Sequence, residues 1–405
     1  MALVVQKYGG TSVATPELIR RVAERVIARH KDGDRMVVVV SAMGSTTDEL
    51  EDLAAKVSND PTDREMDMLM ASGERISMSL LAMAINDLGF AAVSMTGGQS
   101  GIITDSAHTR ARILDMQPKR LLEDLDKGKI LIVAGFQGVT QYGQETTLGR
   151  GGSNLTAVAL AYALNADVCE MNTDVDGIYT ADPRIVPQAR KLDIVTPDEM
   201  LELASAGARV LQSRSVEFAK KYGVVIAVRS SFNLNPGTLI KEVEEMEEVV
   251  VRGIAHDLGD AKITLRHVAD RPGIAATLFG SLAQKGINVD MIIQNTSEAG
   301  TTDMSFTVPK GDLERSLEIC QIIKDDIGAA EVVADADIAK VSVVGVGMRS
   351  HSGVAAGMFE ALAAASINIH MISTSEIKIS VVVGQNQAEE AVRVLHDAFE
   401  LAETP

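Results

Sequence analysis

Over its first 230 residues the chain alternates short β-branched apolar runs with stretches of helical period, a pattern that fits a mainly parallel sheet covered by helices. Leu3-Val4-Val5, Val37-Val38-Val39-Val40, Ile130-Leu131-Ile132-Val133 and Val224-Val225-Ile226 read as strands, with helices expected over 17–30, 65–88 and 154–164. The pattern predicts a three-layer α/β domain ending near residue 240.

A charged run, Lys241-Glu242-Val243-Glu244-Glu245-Met246-Glu247-Glu248, follows as an expected linker or strand approach over 241–260. Beyond it the chain repeats itself. Lys262-Ile263-Thr264-Leu265 is echoed by Lys340-Val341-Ser342-Val343, Gly273-Ile274-Ala275-Ala276 by Gly353-Val354-Ala355-Ala356, and Ile287-Asn288-Val289-Asp290-Met291-Ile292 by Ile367-Asn368-Ile369-His370-Met371-Ile372. Two small βαββαβ sandwiches are expected over 261–335 and 336–405. Pairing at sheet edges and sensing of a small ligand are both open to such copies.

The chain has 405 residues, 46% apolar, which calls for two or three globular domains. A formal charge of −18 argues against nucleic acid and anionic membranes as partners. Two cysteines build no disulfide framework: Cys169 falls in an apparent buried strand and Cys320 in an amphipathic helix. With no basic leader and no run near 18 apolar residues, the expectation is a soluble, cytoplasmic protein.

Two glycine loops stand where helices should begin: Lys7-Tyr8-Gly9-Gly10-Thr11-Ser12 and Gly149-Arg150-Gly151-Gly152-Ser153. Bare backbone and free N–H groups at a helix start suit oxyanions, and Lys7 and Arg150 add positive charge. Seen alone, Lys7 is more often a solvated lysine at a strand exit, and the second loop a capped turn with Ser153 as N-cap. Neither a Walker A pattern nor a Gly-x-Gly-x-x-Gly with a suitably placed acid occurs. The stretch Asn172-Thr173-Asp174-Val175-Asp176-Gly177-Ile178-Tyr179-Thr180-Ala181-Asp182-Pro183-Arg184 lacks the grammar of a calcium loop, so nucleotide contact is the better reading. Glu74 in Gly73-Glu74-Arg75 sits in a helical pattern, where a solvated partner role is the ordinary fate. Ser41-Ala42-Met43-Gly44-Ser45-Thr46-Thr47 ends the second strand, where ligands of open α/β sheets gather.

Together these segments closely resemble the aspartokinase family, along essentially the whole chain. The resemblance implies an amino-acid-kinase fold followed by two ACT domains that bind free amino acids. It implies phosphorylation of the L-aspartate side-chain carboxylate by ATP with Mg²⁺, giving 4-phospho-L-aspartate on the route to lysine, threonine, methionine and isoleucine. Lys7, Gly9 and Gly10 would lie against the ATP phosphates; Thr173, Asp174, Tyr179 and Arg184 would hold the nucleotide, with Arg209 where relatives often carry lysine. Arg150 and Ser153 would hold the aspartate α-carboxylate, Glu74 its ammonium, and Ser41 with Thr47 the reacting end, Ser41 serving the nucleotide as well. Lys7, Arg150 and Asp174 would be catalytic. One departure stands out: relatives usually read Gly-Gly-Ser-Asp where this chain has Gly151-Gly152-Ser153-Asn154, so Asn154 brings a dipole to the substrate ammonium where they bring a charge.

The ACT resemblance further implies feedback inhibition by lysine or threonine at Asp270, Gly273, Ile274, Ala275 and Gln294, with Asn288, Asn368 and Ile369 near a shared interface. The second copy, with Ser350-His351-Ser352-Gly353, lacks the first copy's Asp270 and Pro272. A homo-oligomer through the ACT domains is implied, or an assembly with a shorter chain starting at Met246. The alternatives are a related kinase with another acceptor and a catalytically silent amino-acid sensor.

Overall fold

The computed structural model describes residues 1–208, 210–243, 251–294, 300–349 and 353–402. The chain divides into two units: Met1–Ile178, Lys191–Ala204 and Arg209–Glu245 form the first, and Tyr179–Arg190, Ser205–Ala208 and Met246–Pro405 the second.

In the first unit the chain runs β1 (Leu3–Tyr8), α1 (Pro16–Lys31), β2 (Arg35–Val40), α2 (Thr46–Val57), α3 (Asp63–Asp87) and β3 (Ala92–Met95). It continues through β4 (Ile102–Thr104), β5 (Ile113–Met116), α4 (Lys119–Asp126), β6 (Ile130–Ala134), β7 (Gln137–Thr140), β8 (Glu145–Thr147), α5 (Gly152–Ala163) and β9 (Val168–Thr173). The strands β10 (Ile178–Tyr179), β11 (Lys191–Leu192) and β12 (Ile194–Val195), the helices α6 (Pro197–Ser205) and α7 (Ser213–Tyr222), and β13 (Ile226–Ser230) and β14 (Thr238–Ile240) complete the run.

The main sheet has the order β12-β14-β13-β9-β1-β2-β6-β3, and its observed pairings are parallel except β13 with β14. Val4, Tyr8, Val38, Val40, Ile130 and Ile132 on one face bury against Val22 and Val26 of α1 and Leu81 and Ile85 of α3. α5 covers the other face, apolar nearly all round because the strands bury one side and α7 another. A smaller sheet, β5-β4-β7-β8, stands beside α3. Because β1 is flanked by β2 on one side and by β9, much later in the chain, on the other, the strand order reverses there, and open α/β sheets bind ligands at the carboxyl ends of strands at such a switch point.

Two local expectations shift. Ser153 is not the N-cap of α5: Gly151, at φ 72°, takes that place, because a left-handed residue is needed to turn the loop into the helix. The strand expected over 224–226 starts only at Ile226, since Gly223 ends α7 in the left-handed region and the Val224 N–H bonds back to the Ala219 carbonyl. Among the described residues α3 alone has the length and apolar composition to cross a bilayer, but half of its apolar stretch is buried, and Asp67 and Glu74 are among its buried residues.

The second unit continues with β15 (Gly253–Asp257), then β16 (Asp260–Ala269), α8 (Ile274–Gln284), β17 (Ile292–Gln294), β18 (Thr301–Pro309), α9 (Leu313–Ile323) and β19 (Glu331–Asp335). Next come β20 (Ile338–Val344), α10 (Val354–Ala364), β21 (Met371–Thr374), β22 (Lys378–Gly384) and α11 (Ala388–Ala398). The first copy forms the sheet β17-β18-β16-β19 and the second β21-β22-β20-β15. β15 fills in the second copy the position that β19 holds in the first, so a strand from before the repeat completes the later sheet. Lys340 of β20 is buried and bonds Asp260 at 3.1 Å and Asp290 at 2.5 Å, which ties the copies together. Tyr179–Arg190 belongs to this unit: Ala181, Val186 and Ala189 share a core with Val341, Val381 and Leu395.

Candidate active site

β1 delivers Lys7 to its carboxyl end and turns at Gly9. The Lys7 ammonium lies over that turn, 3.4 Å from where a Cβ on Gly9 would be. Burial brings its pKa down to about 8, against the opposing pull of the Asp174 carboxylate. Gly10 has to be glycine for close approach, since a Cβ there would meet the Ala42 carbonyl at 2.9 Å and that of Gly44 at 3.1 Å. Beside it Thr173 and Asp174 leave the end of β9, their side chains bonded to each other at 3.0 Å.

β2 ends at Ser41, whose N–H bonds the Tyr8 carbonyl at 3.1 Å and whose carbonyl accepts the Ser77 hydroxyl at 2.7 Å. The next N–H, of Ala42, donates to Glu74 Oε1 at 3.1 Å. Gly73 lets α3 press this close: a Cβ on it would sit 2.8 Å from that of Ala42. Glu74 is 4% exposed, its Oε2 has no hydrogen-bond partner, and desolvation pushes its pKa up to about 7. A buried carboxylate oxygen left unmet is costly unless a cation comes to it. Thr47 lies in the first turn of α2, beyond the same loop.

β6 ends at Gly135, and a Cβ there would strike the Ser153 hydroxyl at 2.6 Å, so the start of α5 rests on this strand end. Arg150 is exposed just before α5, with its carbonyl held by the Gln212 side chain, and Asn154 follows one residue after Ser153 in the first turn.

Lys7, Gly9, Gly10, Ser41, Thr47, Glu74, Arg150, Ser153, Asn154, Thr173 and Asp174 all belong to the first unit. Tyr179 and Arg184 belong to the second, where Arg184 forks onto Asp182 with its shortest bond at 2.7 Å. Arg209 lies outside the described residues. Sequence reasoning missed Ser77, Gly135 and Gln212, whose partners are far away in sequence; only the glycine straight after the β6 run hinted at a close approach.

In the second unit Gly273 and Gly353 enter α8 and α10 at φ 98° and 116°, the same left-handed start in both copies. Asp270, Asn288, Gln294 and Asn368 are exposed, Ile369 half-buried, and Ile274 and Ala275 open α8. Ser350, His351 and Ser352 lie outside the described residues. β17 and β21 are sheet edges, with Ile292 and Ile372 exposed on them.

The amino acid kinase family matches residues 2–230, and the ACT domain matches 266–321 and 341–399. The chain is 53% identical over 403 residues to the aspartate kinase Ask_LysC of Stutzerimonas stutzeri, covering 99% of this chain and 98% of that protein. It is 54% identical over 407 residues to the aspartokinase of Mycolicibacterium smegmatis, covering 99% and 97%. Among solved structures it resembles E. coli aspartokinase III in complex with aspartate and ADP, with a TM-score of 0.83 and 27% identity over 98% of this chain and 99% of that one. The same enzyme in complex with lysine and aspartate gives a TM-score of 0.78 at 26% identity, with the same coverage.

Proposed function

The chain belongs to the aspartokinase family, and from that premise we propose how its residues divide the work of moving a phosphoryl group from ATP to the L-aspartate side chain. Glu74 Oε2 takes the substrate ammonium, assisted by the Asn154 amide; Arg150 and Ser153, with the N–H groups opening α5, take the α-carboxylate. Ser41 and Thr47 steady the reacting carboxylate. Lys7 and the turn at Gly9 and Gly10 receive the phosphates, while Thr173, Asp174 and Arg209 hold the nucleotide.

The side-chain carboxylate arrives ionised, so no general base is required; what opposes transfer is repulsion between two anions. Lys7 and Arg150 offset that repulsion, and the incoming triphosphate raises the pKa of Lys7 and keeps it charged. A magnesium ion carried by ATP needs only one or two protein carboxylates, and Asp174, beside Lys7, suits that demand; among the described residues no cluster of three or more ligating side chains offers an all-protein cage. When bound, magnesium would supply neutralising charge at the phosphates.

The observation that carries this reading is Glu74 of α3, a buried carboxylate with an unmet oxygen, held beside the end of β2 by the Ala42 N–H, where an amino-acid ammonium would complete its bonding. Offering ATP-Mg²⁺ with aspartate, glutamate or no acceptor and trapping acyl phosphate with hydroxylamine tests it. Aspartate-dependent trapping that is lost in Lys7→Ala is the expected result; trapping independent of aspartate contradicts it.

Lysine, threonine or both act as inhibitors through the repeat, binding at the αL turn around Asp270, Gly273, Ile274 and Ala275, with Gln294, Asn288, Asn368 and Ile369 near an interface between copies of the chain. The exposed edges β17 and β21 support that interface. The assembly is either a homo-oligomer or includes a shorter chain starting at Met246, a residue outside the described ones.

A further inference from the structure

Asp67, on α3, is a fully buried carboxylate with no part in the chemistry above. Its Oδ1 accepts the Thr109 N–H at 2.9 Å and the Thr147 hydroxyl at 2.5 Å; its Oδ2 accepts from His108 Nδ1 at 2.6 Å. The Thr109 N–H and the Thr147 hydroxyl both meet the same carboxylate oxygen, and His108 Nδ1 meets the other. Thr109 stands at φ 65°, uncommon for a β-branched residue, and its carbonyl lies 3.3 Å from where a Cβ on Gly149 would be. Thr147 is the last residue of β8, three before Arg150. A single side chain therefore grips the strand leading into the arginine loop and also the segment on which Gly149 rests. Arg214 reinforces the grip by donating to the Leu148 and Ala111 carbonyls, both at 2.8 Å.

Resting on the reading of Arg150 as the α-carboxylate ligand, we infer that Asp67 is a positioning residue for aspartate: through Thr147, Thr109 and His108 it fixes the arginine loop in its substrate-binding form. Removing the carboxylate takes away all three contacts, whereas an Asn could keep them with its Nδ2 donating to a His108 Nδ1 that has given up its proton.

The test uses the full chain with steady-state kinetics in both substrates and thermal unfolding. Asp67→Ala is expected to raise KM for aspartate at least tenfold and Thr147→Val about fivefold, with KM for ATP within twofold of wild type and Thr147→Ser restoring the aspartate KM. Thr146→Val is the control. Thr146 is equally buried on the same strand, but its hydroxyl pairs with Thr104 at 2.6 Å. Should Asp67→Ala fail to fold, Thr147→Val against Thr146→Val decides. Equal KM changes in those two threonine variants, or an unchanged aspartate KM in folded Thr147→Val, overturn the inference. A wild-type chain that does not phosphorylate aspartate at all overturns the functional reading itself.

Discussion

At the scale of single residues, the burial of Glu74 comes at a cost to stability. With its pKa raised to about 7 by burial, the folded chain holds a proton that the unfolded chain gives up near the ordinary glutamate value. Stability from this group is thus full at low pH and lost as pH rises through about 7. Glu74→Gln should stabilise the substrate-free protein by about 2–3 kcal/mol at pH 8 and by little below pH 4.5, read as melting temperature against pH. It should also raise KM for aspartate at least tenfold, and no change would remove Glu74 from the ammonium site. Asn154→Asp should lower KM for aspartate with kcat little changed; an unchanged KM would show that the position does not touch the ammonium. That Lys7, Gly9 and Gly10 share one turn at the end of β1 is legible in the sequence, because they are neighbours there. The place of Asp67 is not, because its three partners lie 41, 42 and 80 positions away and nothing local distinguishes it from a solvated helix aspartate.

At the scale of elements, the contact of α3 with the end of β2 decides whether Glu74 reaches the Ala42 N–H. Gly73→Ala puts a methyl 2.8 Å from the Ala42 Cβ and has to push helix and loop apart. The expected outcome is a loss of about 1–3 kcal/mol in thermal stability and at least tenfold in kcat/KM for aspartate; wild-type kinetics would mean that the contact does not set the site. Period and β-branching found β1, β2, β6, α1, α3 and α5, whose burial is one-sided or complete over many residues. They missed the start of α5 by two residues, because a left-handed glycine can open a helix where a hydroxyl cap was expected. Nor does any local pattern reveal that β15 completes the later copy, since sheet order depends on partners far along the chain.

At the scale of the whole molecule, the chain that leaves the loop after β9 at Gly177 and Ile178 enters the second unit at Tyr179. There the Thr180 hydroxyl lies 2.9 Å from Nε2 of buried His396, and burial lowers the pKa of that imidazole. A folded-state value below the ordinary imidazole pKa of about 6.5 leaves this stability intact above it and removes it as pH falls below. His396→Gln should therefore flatten the fall in melting temperature of the second unit between pH 7 and 5, and an unchanged slope would contradict the assignment. The repeat was visible in the sequence because both copies keep their glycine turns and strand residues; the membership of Tyr179–Arg190 in the second unit was not, because its core partners, from Val251 to Leu401, lie about 60 and more residues away. The claim on which the account turns is that a lysine turn, an arginine loop and an unmet glutamate bring two anions together. A crystal structure of the full chain with aspartate, magnesium and a non-hydrolysable ATP analogue tests this most directly. The account predicts the aspartate ammonium at Glu74 Oε2, its α-carboxylate at Arg150 and the γ-phosphate at Lys7; aspartate bound away from Glu74 and Arg150 would contradict it.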